Sequence, residues 1–216
     1  MNTQNVLDNV LELLYPSHVA CCVCDKEAHF ENLPYICDEC KSKLHFLNGK
    51  KLVKTENNEI TVHYAFDYDD IIKDLIHGFK YNGKRYKAKS LAYYLKKIIE
   101  TENIEYDMII PVPLHKNRQE QRGYNQCALL CKEVDKNANK YTEGLKRIKD
   151  TKMQTLISGE ERLTNLIGAF EINTDVYNKR ILLIDDIVTT GSTMKECTQI
   201  LYKNGANIVI GAAIAT

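Results

Sequence analysis

The sequence has no excess charge of either sign, because 29 lysines and arginines balance 29 aspartates and glutamates in 216 residues. Without a net charge there is no global field to recruit nucleic acid or a membrane surface, so such binding would need a local patch. The chain also lacks a basic start, since its first fifteen residues carry Asp8 and Glu12 within an apolar pattern. Nowhere do eighteen apolar residues run together. These absences predict a cytoplasmic protein without a signal peptide and without membrane insertion.

One stretch, residues 180 to 194, combines the patterns of a strand, a turn and the start of a helix. Ile181 to Ile184 are apolar at every position, which favours a parallel strand that is buried on both faces. Asp185 and Asp186 follow at its carboxyl end. The next residues are small and open a helical segment, whose first amides have no partner within the helix and can hold a phosphate. These turn residues are Thr189, Thr190, Gly191, Ser192 and Thr193.

Two adjacent carboxylates beside a phosphate-binding turn suit a ligand with several hydroxyl groups, because carboxylates accept hydrogen bonds from hydroxyls and repel a second phosphate. A ribose phosphate has both parts. The alternative is an ordinary strand-to-helix turn in which these residues only cap the helix. The stretch resembles the loop of type I phosphoribosyltransferases that binds phosphoribosyl pyrophosphate (PRPP). That resemblance implies that Asp185 and Asp186 are the catalytic residues that hold the ribose hydroxyls, while Thr189 to Thr193 hold the 5′-phosphate.

Five of the eight cysteines lie within twenty residues of one another. Cys21 and Cys24 form one C-x-x-C pair, and Cys37 and Cys40 form a second after twelve intervening residues. A disulfide framework is not expected in a reducing cytoplasm, whereas two such turns aim four thiolates at one point, as tetrahedral zinc requires. We therefore predict a structural Zn²⁺ on these four residues. Cys22 is an alternative ligand, although only Cys21 has the two-residue spacing to Cys24.

The cysteine motif belongs to a predicted N-terminal module. An apolar stripe over residues 5 to 14 predicts a short amphipathic helix ahead of the cysteines. Residues 48 to 60 are polar and rich in turn formers. We therefore assign residues 1–50 to the helix and the double C-x-x-C module, and residues 51–216 to a phosphoribosyltransferase-like domain.

Strand and helix patterns alternate through the second domain. Asp69 or Asp70 can cap one helix, and Ser90 can cap another. The alternation predicts an α/β fold with a mostly parallel, doubly wound sheet. Strand patterns occur at Ile60 to Phe66, Met108 to Val112, Leu145 to Ile148, Gly168 to Ile172, Ile181 to Ile184 and Asn207 to Ala215.

A rigid, polar loop follows the strand that ends at Val112. Ligands of open α/β sheets bind beyond the carboxyl ends of the strands, so this loop should face the Asp185 turn across one crevice. Its arginines can contact a pyrophosphate through paired hydrogen bonds. Residues 149 to 165 have few apolar side chains and are expected to form a flexible hood over the crevice. The predicted pyrophosphate loop consists of Val112, Pro113, Leu114, Arg118 and Arg122.

The most basic stretch has no acid from His77 to Ile99 and interleaves lysines with tyrosines. Basic and aromatic residues together are typical of grooves that bind single-stranded nucleic acid. The alternative is a solvated face that contributes one or two lysines to the phosphates of a small substrate. The candidate patch for single-stranded DNA consists of Lys84, Arg85, Lys87 and Lys89.

The double C-x-x-C motif, the Phe79 to Gly83 segment, Arg122 to Gln126 and the Asp185 turn together resemble the ComF family, bacterial proteins similar to amidophosphoribosyltransferases. The resemblance implies a type I phosphoribosyltransferase fold, PRPP with Mg²⁺, and a role in natural competence and DNA uptake beside partners such as a ComF-type helicase. The alternative is a single-stranded DNA-binding module of the transformation machinery without phosphoribosyl turnover. The residues placed on the hood and acceptor side are Lys80, Asn125, Gln126, Gln154 and Arg162.

Overall fold

The structure is a computed structural model that describes residues 20–55, 58–81, 84–136, 139–148 and 169–216. Their strands are β1 (Gly49–Lys54), β2 (Glu59–Phe66), β3 (Met108–Pro111), β4 (Leu145–Arg147), β5 (Phe170–Ile172), β6 (Arg180–Ile187) and β7 (Ile208–Ala215). Their helices are α1 (Asp38–Lys41), α2 (Asp70–Tyr81), α3 (Lys87–Thr101), α4 (Lys116–Arg122), α5 (Gln126–Val134) and α6 (Ser192–Lys203).

Five strands form one sheet in the order β1-β2-β7-β6-β3. The pairs β2–β7, β7–β6 and β6–β3 are parallel, and only the edge strand β1 pairs antiparallel to its neighbour. β4 and β5 form a separate antiparallel ribbon. The predicted mostly parallel α/β fold is therefore confirmed.

Helices cover both faces of the sheet, as the side chains of β6 demonstrate. Leu182 and Ile184 belong to one buried cluster together with residues of α2, α3 and α5. Ile181 and Leu183 belong to a second cluster together with residues of α6. Successive side chains of a strand point to opposite faces, so an unbroken apolar run is the pattern of a strand buried on both sides. The sheet is doubly wound, and β6 lies in its interior between β7 and β3.

The ends of two helices test the capping predictions. The Asp69 carboxylate accepts a 2.8 Å hydrogen bond from the backbone N–H of Ile72, so Asp69 caps α2. The prediction for Ser90 is wrong, because α3 begins at Lys87 and Ser90 is a buried residue inside it. Ser90 is therefore an interior residue of α3 and not its N-terminal cap.

The segment from 48 to 60, which is polar and rich in turn formers, consists largely of paired strands. It contains β1 and the start of β2, which pair from Gly49 opposite Tyr64 to Lys54 opposite Glu59. Along β1 only Val53 is buried, while the neighbouring Leu52 is 60% exposed. An edge strand with one buried side chain lacks the apolar alternation by which strands are found in a sequence. The domain boundary at residue 50 remains a prediction.

Several predictions lie outside the described residues. These are the helix over residues 5 to 14, the hood over residues 149 to 165, and the roles of Gln154 and Arg162 within that hood. Among the helices that the structure does describe, none has the length and apolar character needed to cross a membrane.

Candidate active site

Asp185 and Asp186 lie within β6, which continues to Ile187, and not after its end as the pattern indicated. Asp186 is only 8% exposed. The Asp185 carboxylate accepts hydrogen bonds from the Asp186 backbone N–H at 2.8 Å and from the Cys127 thiol of α5 at 3.6 Å. Burial raises the pKa of the Cys127 thiol well above its usual value, so it stays protonated and remains a donor. The two acids are thus held by the sheet and by α5.

Lys80, at the end of α2, approaches the second acid. Its ammonium lies 2.9 Å from the Asp186 carboxylate, and the two side chains are 17% and 11% exposed. Burial alone would lower the pKa of Lys80, but the attraction of Asp186 outweighs it and the pKa is raised, so the lysine is charged. The assignment of Lys80 to the hood and acceptor side remains a prediction.

The acid pair is not fully neutralised by this one cation. Burial, followed by the negative charge of Asp186, raises the pKa of Asp185 to about 7, and Lys80 offsets only part of that effect. A carboxyl group in this state gains from hydrogen-bond donors that stabilise its ionised form. Ligand hydroxyl groups are donors of this kind.

The turn between β6 and α6 exposes backbone amides. Thr189 and Thr190 are exposed, and no acceptor in the described parts of the chain receives a hydrogen bond from the N–H groups of Thr189, Thr190 or Gly191. The hydroxyl oxygens of Thr190 and Ser192 lie 2.7 Å apart. A small cavity of about 40 Å³ is lined by residues 187–194 and Asp185, with Asp186 absent from its lining. The turn offers the amide and hydroxyl donors that a phosphate requires.

Gly191 is the residue that lets the turn take this shape. Its φ is +77°, a left-handed conformation that glycine adopts without steric cost. A Cβ atom here would also lie 2.8 Å from a methyl carbon of Val53 on β1. Any larger residue at this position would push the turn away from the sheet.

The predicted pyrophosphate loop begins beside the acid pair. The Val112 N–H donates to the Ile184 carbonyl at 2.8 Å, and the Val112 carbonyl accepts from the Asn125 side chain at 3.1 Å. These bonds place the loop next to the end of β6. Arg122 stacks its guanidinium 4.8 Å from the centre of the Tyr81 ring and donates to the Tyr81 hydroxyl at 2.9 Å. Arg118 lies on α4 within the same segment.

A larger cavity of about 680 Å³ lies on the other side of this loop. Its lining comes from the loop, α4 and the β4–β5 ribbon and includes Leu114, Gln119, Asn125, Glu143 and Arg147. Asn125 therefore lines this cavity, and its role on the acceptor side remains a prediction. Gln126 does not line it, because it is 0% exposed, and its assignment to the acceptor side is wrong. Nothing in the sequence pattern indicated Glu143 or Arg147, since β4, which follows Glu143 and carries Arg147, is brought to the loop only by folding.

The basic stretch is not the open patch that its composition indicated. Lys87 is 1% exposed, its ammonium lies 3.1 Å from the Asp25 carboxylate, and it donates to the Cys22 carbonyl. Lys84 lies 2.6 Å from the same carboxylate. The Arg85 guanidinium stacks 4.6 Å from the centre of the Tyr124 ring. The assignment of Lys87 to a DNA-binding surface is wrong, because Lys87 and Lys84 connect the cysteine module to the main domain.

The four predicted zinc ligands come together. The Sγ atoms of Cys21, Cys24, Cys37 and Cys40 all lie within 4.8 Å of one another, and those of Cys24 and Cys37 are 3.9 Å apart. Tetrahedral zinc with Zn–S bonds of about 2.3 Å separates its sulfurs by about 3.8 Å, so the cluster fits this ion. Cys22 is outside the cluster. Burial raises the pKa of Cys22 to about 12, and the residue packs in the hydrophobic core.

The doubly wound sheet and the paired acids with their amide-rich turn define a phosphoribosyltransferase-like protein. The phosphoribosyl transferase domain family matches residues 133–216. The chain is 31% identical over 199 residues to the DNA utilization protein YhgH of Escherichia coli O6:H1, which covers 88% of this chain and 86% of that protein. It is 30% identical over 200 residues to competence protein F of Haemophilus influenzae, covering 86% of this chain and 85% of that protein. The chain belongs to the ComF family.

Among solved structures, one alignment is with a hypoxanthine phosphoribosyltransferase from Staphylococcus aureus. The alignment has a TM-score of 0.38 and 14% identity, and it covers 60% of this chain and 63% of that enzyme.

Proposed function

We propose that the chain binds PRPP with Mg²⁺ in the crevice between the Asp185 turn and the Val112 loop, and that it transfers the phosphoribosyl group to a nitrogenous acceptor. The observation that carries the proposal is the convergence of three groups. The acid pair, the ammonium of Lys80 at 2.9 Å from Asp186, and a turn whose amides have no acceptor among the described residues lie at one end of one strand. Each suits one part of PRPP.

The turn amides would bind the 5′-phosphate, because the first amides of α6 lack intrahelical partners and the helix dipole favours an anion there. Asp185 and Asp186 would accept hydrogen bonds from the ribose hydroxyls. An ammonium has three donors, so Lys80 can keep Asp186 and also donate to an oxygen of the departing pyrophosphate. Charge that develops on the pyrophosphate is then met by a cation already held in place.

Magnesium fits this site as a ligand of PRPP. Mg²⁺ keeps several waters and is held by one or two carboxylates together with substrate phosphates, not by a cage of protein groups. The crevice offers two carboxylates, those of Asp185 and Asp186, and the Asp186 carboxylate is already paired with Lys80. When bound, Mg²⁺ would neutralise charge on the pyrophosphate. The acceptor would enter the cavity of about 680 Å³ beside the loop.

Titration calorimetry with Mg-PRPP tests the binding step. We expect the double variant Asp185→Asn/Asp186→Asn to lose measurable affinity while Lys73→Met, an exposed change on α2, binds as the wild type does. Unchanged affinity in the folded double variant would refute the site. Pyrophosphate release in the presence of candidate bases and amines would then identify the acceptor.

A second candidate, binding of single-stranded DNA without turnover, is favoured by the names of the relatives, which refer to DNA utilization and competence. In either case we place the protein in the cytoplasm, with competence proteins such as a ComF-type helicase as partners. Salt dependence separates a nucleic acid from a metabolite, because log affinity falls by about 0.7 per contacted phosphate for each tenfold rise in salt. Oligonucleotide binding at several salt concentrations, with and without Mg-PRPP, measures this slope.

A variant of the basic stretch should accompany that measurement, and the burial of each lysine decides which one is informative. Substitution of Lys87 would disturb a buried ion pair, so the informative change is Lys89→Glu/Lys96→Glu on α3, with Lys73→Glu on α2 as the control. If oligonucleotide binds with a shallow slope and equally to all three proteins, the DNA-binding candidate is wrong.

A further inference from the structure

Lys51 of the edge strand β1 reaches the back of the phosphate turn. Its ammonium donates to the carbonyl oxygens of Val188, at 3.4 Å, and of Thr189, and to the hydroxyl oxygen of Thr216 at 3.0 Å. The Thr216 hydroxyl in turn donates to the Val188 carbonyl at 2.6 Å. The strand that carries Lys51 lies outside the Asp185 to Thr193 motif, and no sequence pattern connected it to the site.

We infer that Lys51 is a positioning residue of the phosphate turn, an inference that rests on the proposed function of that turn. An ammonium has three protons, and Lys51 has three acceptors on the rear of the turn. It therefore acts on the turn and not directly on the ligand. Its effect is on the direction in which the backbone amides point.

The direction follows from the geometry of the peptide bond. In a trans peptide unit the C=O and the following N–H point in opposite directions. The units after Val188 and Thr189 are trans, since the one cis bond in the described residues joins Leu33 and Pro34. Holding the Val188 and Thr189 carbonyls toward Lys51 therefore aims the N–H groups of Thr189 and Thr190 away from it. Both of these amides lack an acceptor among the described residues, and both residues are exposed.

A second side chain of β1 supports the same turn. Val53 is 6% exposed, and its methyl carbon would lie 2.8 Å from a Cβ atom at Gly191. Residues two apart on a strand share a face, so Lys51 and Val53 meet the turn from one side. Val53 sets how close the turn lies to the sheet, and Lys51 sets how its peptide units are oriented.

The test compares two ligands that occupy different halves of the crevice. Ribose 5-phosphate uses the turn, whereas inorganic pyrophosphate uses the Val112 loop. We expect Lys51→Met, which keeps most of the aliphatic stem, to weaken ribose 5-phosphate binding about tenfold, the loss expected of hydrogen bonds from a charged donor. Pyrophosphate binding should not change. Lys51→Arg should recover most of the affinity, and Lys54→Met, which removes the same charge from the end of β1, should bind both ligands as the wild type does.

Amide chemical shifts and hydrogen-exchange rates, both measured by NMR, supply a readout that a general loss of stability would not reproduce. In Lys51→Met the amides of Thr189 and Thr190 should change their chemical shifts and exchange rates while those of β6 and β7 do not. Three results would overturn the inference: unchanged ribose 5-phosphate affinity in Lys51→Met, equal losses for both ligands with a lowered unfolding midpoint, or an equal loss in Lys54→Met. Each of these leaves the proposed function standing. A wild-type protein that binds neither ligand would overturn the inference and the proposed function together.

Discussion

The acid-pair crevice and the cysteine module are built in different ways. The crevice is made by the end of β6, a strand whose Leu182, Leu183 and Ile184 are 0% exposed. The cysteine module, residues 20–48, has only a short helix of four residues, and its buried residues are mostly cysteines. A packed sheet can hold its site without an ion, whereas we expect a module with so few buried apolar residues of its own to depend on metal ligation for its folding free energy.

The two regions are joined by hydrophobic packing and by polar contacts. Cys22 and Ile36 of the module lie in the same hydrophobic cluster as residues of α2 and α3. Asp25, one residue beyond Cys24, binds Lys84 and Lys87 and accepts a hydrogen bond from the Tyr86 hydroxyl. In the same segment Arg85 donates to the Gly123 carbonyl at 3.3 Å, next to the Val112 loop. The proposed function lies in the sheet, and the polar contacts between the sheet domain and the predicted metal module involve side chains that can be changed one at a time.

The largest effect should come from removing a metal ligand. Cys40→Ser should lower the zinc content from about one ion per chain to almost none, because structural zinc in small modules is worth roughly 10 kcal/mol of folding free energy. The acid-pair crevice should still bind Mg-PRPP, since its sheet does not depend on the ion. Elemental analysis and calorimetry on the same samples check both statements.

Cys22→Ala is the matched control for that change. Cys22 lies outside the sulfur cluster, so its replacement should keep the zinc. Loss of zinc in this control would restore Cys22 as a ligand, and loss of PRPP binding in Cys40→Ser would break the distinction between the two regions.

Lys80→Met should have the next largest effect, within the crevice. Breaking a buried pair leaves Asp186 without its cation, which costs about 3 kcal/mol of unfolding free energy, while the zinc content should stay the same. Chemical denaturation measures the loss, with Lys73→Met on the same helix as the control. A denaturation curve that coincides with the wild type would mean that the pair contributes no net stability.

The pH dependence of the unfolding free energy should report the ionisation of Asp185. Its folded pKa of about 7 is above the unfolded value of about 3.9, so the folded state binds a proton more tightly than the unfolded state. This stabilisation is complete below pH 4 and is lost as the pH rises through 7. Asp185→Asn should remove this component. Denaturation midpoints of both proteins between pH 4 and pH 8 check it, and parallel curves would contradict it.

The smallest effect should come from Asp25→Asn, at the contact between the regions. Its side chain is 35% exposed, so the loss should be about 1 kcal/mol, as for a partly exposed ion pair. Zinc should stay bound, and proteolysis should cleave the cysteine module faster than in the wild type while leaving the sheet intact. Equal protection of the module would contradict a role for Asp25 in holding it against the sheet domain.

The parts of the site that could be predicted are those encoded by neighbouring residues. The strand, the two acids and the turn follow one another within residues 180 to 194, and the two C-x-x-C pairs carry their own spacing. The parts that could not be predicted depend on partners far away in the chain. The prediction of an open basic patch was wrong for this reason. The sequence does not distinguish a buried lysine from an exposed one until the position of Asp25 is known.

The sequence by itself determined the doubly wound sheet, the family and the four-cysteine cluster, because hydrophobic period and motif spacing act over a few residues. Only the tertiary structure decided which lysines serve the site. Lys51 contacts Val188 from 137 positions away, and Lys80 meets Asp186 from another element. An ammonium is directed by the acceptors that folding places around it, and a single sequence carries no signal for such distant pairs.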